Sequence, residues 1–208
     1  MLRTKASGFD SPLPLDELRE SSKRADMKLI PTLLLAPLLF VAASPVHAQD
    51  KPRVSPTDTV ATDIGGAQVK IVYSRPYTKD PKTGEPRKIW GGLVPFGQVW
   101  RTGANEATTL TTDKPLVIGG TAIPAGTYTL FSLPAADGAK LIVNKQTGQW
   151  GTKYDEKQDL ARIDMKKEPL GTTTDQFTIA FEKSGAAGSM LKLTWEDTQY
   201  SVPVEVGK

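Results

Sequence analysis

The sequence predicts an all-β protein, an antiparallel β-sandwich of jelly-roll type with about nine strands and at most one short helix. Three observations carry this reading. Apolar and polar residues alternate with a period of two in one segment after another. Gly, Pro and Asp-Gly turn signals recur at roughly 8–12-residue intervals. No stretch sustains a 3.6-residue period, a heptad or a tandem repeat. The strands are uneven in length and the long loops gather in the N-terminal half, which favours a sandwich over a closed barrel.

From the N-terminus, residues 1–26 are polar and read as a non-native extension upstream of the natural start. Residues 27–48, "MKLIPTLLLAPLLFVAASPVHA", have the pattern of a secretory signal peptide. Lys28 is the positive end, an apolar run follows, and Val46 and Ala48 are small residues at the cleavage positions. The apolar run is shorter than the roughly 20 residues of a membrane span, and Pro31 and Pro37 interrupt it. The expectation is export to the periplasm or beyond, with cleavage near Ala48 and no membrane span afterwards.

Residues 49–66 are rich in Pro, Thr and Asp and read as an extended arm, with an edge strand near Thr57–Ala61. Residues 67–208 read as a single domain. In "AQVKIVYS", Val69, Ile71 and Tyr73 share one face, as in a half-buried strand. "RPYTKDPKTGEPRK" is a loop set by three prolines and a Thr-Gly. "ATTLTTD" is β-branched. "PLVIGGTAIPAGTYTLFSLP" holds two or three strands cut by Gly-Gly and Pro-Ala-Gly. "AKLIVNK" follows an Asp-Gly hairpin signal. Tyr154–Ile163 reads as a single helical turn, overlapping the strand candidate "LARIDMKK". "DQFTIAFEK", "SMLKLTWED" and "QYSVPVEV" each alternate. Pro203, lacking an N–H, is expected to face a sheet edge.

Composition excludes much chemistry. Removing the six basic and five acidic residues of 1–48 from a formal charge of +3 leaves +2, and no Lys/Arg block stands out, so no nucleic-acid partner is expected. There is no cysteine, and the one histidine, His47, leaves with the signal. That removes a Ser-His-Asp triad, a cysteine nucleophile and an ordinary zinc site. No metal and no cofactor are expected. Acid–base work would fall to Asp, Glu, Tyr or Lys.

Several blocks, in order, resemble one family. "YSRP" (73–76), "IWGGLVPFGQVWRTGANEAT" (89–108), "IPAGTYTLFSLP" (123–134), "VNKQTGQWG" (143–151) and "YDEKQDLAR" (154–162) are similar to the exported bacterial DUF2911 family. The resemblance implies an exported all-β domain and no particular activity. The link between "SRP" and "IWG" is longer here than the family pattern, which bears on the shape of that loop alone.

The run Trp100–Glu106 concentrates the residue types of a site. Trp100 offers a flat face for stacking, and Arg101 a bidentate fork for a carboxylate or phosphate. Asn105 offers a donor and an acceptor for a hydroxyl or amide, and Glu106 an acceptor. Alternation puts Trp100 on the face opposite Val99 and Arg101. The structural alternative makes Trp100 core, pairs Arg101 with Glu106, and uses Asn105 to cap the turn. Arg75, at the end of "YSR", is expected at the sheet rim, where it would favour an anionic ligand. Asn144 and Trp150 complete the candidate ligand-binding set of Arg75, Trp100, Arg101, Asn105, Glu106, Asn144 and Trp150.

Asp159 and Arg162, three apart, are expected to bridge each other on a helical turn. "SMLK" matches a Ser-x-x-Lys nucleophile pattern, but alternation puts Ser189 and Lys192 on opposite strand faces. Three functions are compatible with these residues. The first is an exported module binding a glycan, a sugar acid or a peptide. The second is a hydrolase or lyase acting on a saccharide through Glu106 and Asp159. The third is a structural partner of the envelope.

Overall fold

The structure is a computed structural model that describes residues 53–185 and 188–208. The expected upstream extension (1–26), the expected signal peptide (27–48) and the first residues of the expected arm (49–52) lie outside the described residues. Nine strands form among the described residues: β1 Thr57–Ile64, β2 Ala67–Ser74, β3 Thr108–Thr112, β4 Leu116–Ile118, β5 Thr121–Ile123, β6 Gly126–Pro134, β7 Ala139–Asn144, β8 Asp159–Ser184 and β9 Gly188–Val206. They hydrogen-bond antiparallel in the order β1-β2-β3-β6-β7-β8-β9-β4-β5. The order is a meander broken where β3 meets β6 and where the β4–β5 hairpin joins β9. It does not establish the jelly-roll type. No helix among the described residues is long and apolar enough to cross a membrane.

Local sequence explains the hairpins. Gly65-Gly66 and Gly119-Gly120 all sit at positive φ, the backbone a two-residue turn between right-twisted strands needs. Asp137-Gly138 turns β6 into β7, closed by Ala135 N–H to the Gly138 carbonyl at 2.8 Å. The arm's edge strand is present and longer than expected. It pairs with β2 along its whole length, so the second half of the arm belongs to the sheet.

Two expectations change. "LARIDMKK" and "DQFTIAFEK" fuse into the 26-residue β8, and "SMLKLTWED" and "QYSVPVEV" into the 19-residue β9. Pro169 and Gly171 do not end β8, because the β8–β9 register slips between Pro169 and Thr178 and absorbs them as bulges. Glu196, at φ 55, lies at the same irregularity on β9. Pro203 is not on an edge strand, since β9 runs between β8 and β4. It falls between the pairs Lys166↔Ser201 and Ile118↔Val204, where the β8 ladder has ended.

One buried cluster joins β2 (Val69, Ile71, Tyr73), β7 (Leu141, Val143), β8 (Phe177, Ile179) and β9 (Leu191, Leu193, Trp195). Tyr73 meets Phe177 edge-on at 5.8 Å, although β2 and β8 are far apart in the ladder. The sheet therefore folds over, and its two halves enclose one core. Ser189 is buried on β9 while Lys192 pairs with Glu182, so the strand reading of "SMLK" holds.

Candidate functional site

Between β2 and β3 the chain makes a 33-residue excursion, 75–107, pinned to the sheet by isolated bridges. Tyr77 bridges Gln176 of β8, Lys79 bridges Pro86 within the excursion, and Trp100 bridges Ser132 of β6. Trp100 and Ser132 exchange both backbone bonds, at 2.7 and 2.9 Å. That pairing fixes the residue's direction. The indole turns inward, and the Arg101 side chain takes the other face.

Trp100 stacks on Trp195 at 5.7 Å with an interplanar angle of 18°. It meets Trp90 and Phe177 edge-on at 5.8 and 4.9 Å. One indole face is thus already occupied by the protein, and Trp100 joins the rim of the core.

The turn after it is strained. Thr102 is fully buried at φ 51, a position β-branched residues rarely adopt, at a cost of about 1–3 kcal/mol. Its Oγ1 donates to Ser132 Oγ at 3.0 Å, and its carbonyl accepts from Thr108 Oγ1 at 2.8 Å. At Gly103 a Cβ would lie 2.8 Å from the Ser74 carbonyl, so only glycine fits. Asn105 also takes a positive φ of 58, and its Nδ2 donates to the Ser55 carbonyl at 3.1 Å. Asn105 therefore ties the arm to the turn and also lines the cleft beside Trp100.

That cleft has a volume of about 370 Å³. Trp100, Trp195, Tyr77 and Leu93 supply its apolar wall, and Arg101, Lys79 and Arg87 its charge. No carboxylate among the described residues lines it. Arg87 is held in place by donating to the carbonyls of Tyr77 and Thr78. Arg101 is different: its half-buried guanidinium makes no hydrogen bond or ion pair to any described residue. Burial pulls its pKa below the usual value, with no opposing anion among the described residues. Its stem packs on Gly151, where a Cβ would lie 2.6 Å from Arg101 Cδ.

The other expected residues separate. Glu106 does not pair with Arg101. Arg53 Nη1 donates to both its carboxylate oxygens at 2.8 and 2.6 Å and holds it below the usual carboxylate range. Glu106 lines a different cavity, beside Thr57 and Thr109. Arg75 is consumed: Nε donates to the Phe177 carbonyl (3.0 Å), Nη2 to Thr178 Oγ1 (2.8 Å) and Nη1 to Asp58 (3.1 Å). It clamps β1 and β2 to β8 and does not converge with Arg101. Trp150 is half-exposed and bridges Glu106 through its backbone.

Asn144 is fully buried and satisfied. Nδ2 donates to the Asp155 carbonyl and Asp159 Oδ1, and Oδ1 accepts from Gln146 N–H. Asp159 and Arg162 do bridge, at 2.8 Å, but not on a helix. The only helical turn among the described residues is the short 3-10 segment Glu156–Gln158, and Asp159 begins β8. Asn144 pairs with Asp159 and Val143 with Ala161, so Leu160 is bulged out. The extra residue brings Asp159 and Arg162 to one face. Tyr154 completes the group, donating to Asp159 at 2.6 Å and accepting from Arg162 at 2.9 Å. Burial and the neighbouring carboxylate push Tyr154 up to about 12. No described cavity is lined by both Glu106 and Asp159.

Sequence reasoning missed Lys79 and Arg87. Their signal was present in "KDPKTGEPR", where Asp-Pro-Lys-Thr-Gly marks a reversal that brings the flanking cations together. A family model described as "Protein of unknown function (DUF2911)" matches residues 55–204. No curated protein and no solved structure matches the chain.

Proposed function

We propose that this chain, which belongs to the DUF2911 family, is an exported, non-catalytic module that binds a small anionic ligand, a carboxylate-bearing sugar acid, in the cleft beside Trp100. Arg101 carries the proposal. A half-buried guanidinium without a partner among the described residues, in a wall where they add two further cations and no carboxylate, favours a bound anion. Tyr77, 38% exposed at the cleft wall, offers the ring that Trp100 has committed to Trp195. Asn105 keeps its carbonyl oxygen for a ligand hydroxyl, since only its Nδ2 is bonded to a described residue. Export rests on the leader of residues 27–48.

The saccharide hydrolase or lyase reading has less support. Asp159 is bound by Asn144, Tyr154 and Arg162, and Glu106 by Arg53, in separate surroundings. The envelope-partner reading needs an apolar edge. Of the two outer strands, β1 carries Asp58 and Asp63, charges that discourage strand pairing, and β5 is only three residues long.

A thermal-shift screen of the exported form tests the proposal, with glucuronic acid, galacturonic acid and their neutral parent sugars. A ligand at about 100 times its Kd adds roughly 2.7 kcal/mol, or about 5–10 °C in Tm. The acids should shift the wild type, the neutral sugars should not, and Arg101→Met should remove the shift. Equal melting temperatures throughout would refute the proposal.

A further inference from the structure

The cleft beside Trp100 shares part of its wall with a second one. Leu93, Trp100 and Arg101 line both. The second, about 260 Å³, is also lined by Gln98, Thr152, Tyr154 and Phe131. Its chemistry is unlike that of the first. Apart from Arg101 no described residue lining it is charged, whereas the first adds Lys79 and Arg87. Arg101 thus stands where a cationic compartment meets a neutral, aromatic one.

The neutral compartment is held ready. The Tyr154 ring packs edge-on against Phe131 at 4.8 Å. Its hydroxyl is fixed between Asp159 and Arg162. A ring immobilised in this way presents a face without further ordering cost. Gln98 and Thr152 stand exposed at the same cleft with amide and hydroxyl groups.

We infer that the ligand is a heterosaccharide, with an acidic sugar in the first cleft, its carboxylate on Arg101, and at least one neutral sugar in the second cleft over Tyr154. The inference rests on the reading of the first cleft given above. Charge complementarity assigns the two ends, because only the first compartment adds cations of its own. A peptide is disfavoured by the backbone. Strand addition needs a run of free edge groups. Here Trp100 spends its own on Ser132, and Thr102, at φ 51, turns the chain away one residue after Arg101. A saccharide needs only side-chain hydrogen bonds and a ring face.

Isothermal titration with glucuronic acid, glucuronosyl-xylose and trialanine tests this. One added ring contact and one or two hydrogen bonds correspond to roughly tenfold tighter binding. Glucuronosyl-xylose should therefore bind about tenfold tighter than glucuronic acid. That ratio should fall to about one in Thr152→Trp and in Gln98→Trp, two exposed positions whose bulk would occupy the second cleft. A ratio near one in the wild type, with glucuronic acid still binding through Arg101, would overturn the two-cleft assignment alone. Failure of glucuronic acid to bind would overturn the first-cleft reading and this inference together. Trialanine binding more tightly than the disaccharide would replace the saccharide with a peptide and overturn the inference.

Discussion

Arg75 and Arg101 differ in one respect that stability can measure. Arg75 makes three bonds that join β1, β2 and β8, and Arg101 makes none to a described residue. Consider Arg75→Met and Arg101→Met, each of which keeps much of the stem. Arg75→Met removes two bonds to neutral acceptors, worth about 1 kcal/mol each, and leaves the carbonyl of the fully buried Phe177 without that donor, at about 1–3 kcal/mol more. The Asp58 contact adds little, because that carboxylate is 44% exposed and screened. The sum is about 3–5 kcal/mol, or roughly 6–20 °C in Tm for a domain of this size. Arg101→Met loses no bond to a described residue and relieves a partly desolvated cation, while the methionine stem still covers Gly151. Its effect should stay within about 0.5 kcal/mol, either way. Urea denaturation with linear extrapolation reads both values. If Arg101→Met costs as much as Arg75→Met, Arg101 is a clamp, and the reasoning that assigns it to a ligand fails.

Other predictions concern groups whose environments are equally specific. The Tyr200 hydroxyl is buried without a hydrogen-bond partner among the described residues, so Tyr200→Phe should be neutral or stabilise by up to about 1 kcal/mol, and a clear fall in Tm would contradict this. Tyr154→Phe should cost about 1–2 kcal/mol and expose the 145–158 loop to limited proteolysis, because Asp159 loses a donor and Arg162 an acceptor. Burial raises the pKa of Glu196 in the folded protein above its ordinary 4.5. Its native form therefore binds the proton more tightly than the unfolded chain does. The contribution is fully present below pH 4.5 and is lost as pH rises through the elevated native value. Glu196→Gln should accordingly be more stable than wild type at pH 7 and converge with it below pH 4.5, as measured by denaturation across that range; a constant difference would contradict the assignment. At Glu106 the Arg53 contact lowers the pKa, so its small contribution is present above pH 4.5 and lost as pH falls through the depressed value. Because that pair is about half-exposed, Glu106→Gln should change stability by less than about 0.5 kcal/mol at pH 7, and a larger loss by denaturation would show the pair to be stronger than surface screening allows.

Much of this fold is local and therefore readable in the chain. Val69, Ile71 and Tyr73 announce a face by alternation, and the paired glycines at 65–66 and 119–120 announce hairpins through the φ they permit. The ladder order is not local. Nothing near Leu116 says that it will pair with Val206. Bulges are also hidden, since Pro169 and Gly171 look like terminators until a partner strand absorbs them. The site shows the same division. Trp100 opposite Arg101 follows from period two. Glu106 finding Arg53, 53 residues away, and Arg75 finding Phe177, 102 away, depend on how the sheet folds over. The Asp159–Arg162 bridge was foreseen for a helical reason and forms for a different one, the extra residue at Leu160.

The measurement closest to the central claim is a 15N-resolved titration of the arginine Nε–Hε signals with glucuronic acid. Met substitutions of Arg75 and Arg101 would assign their two resonances. The account predicts that the Arg101 signal shifts and saturates with ligand, while that of Arg75, already bonded to the Phe177 carbonyl, stays in place. An Arg101 signal unmoved at saturating acid, or one that moves no more than Arg75, would contradict it.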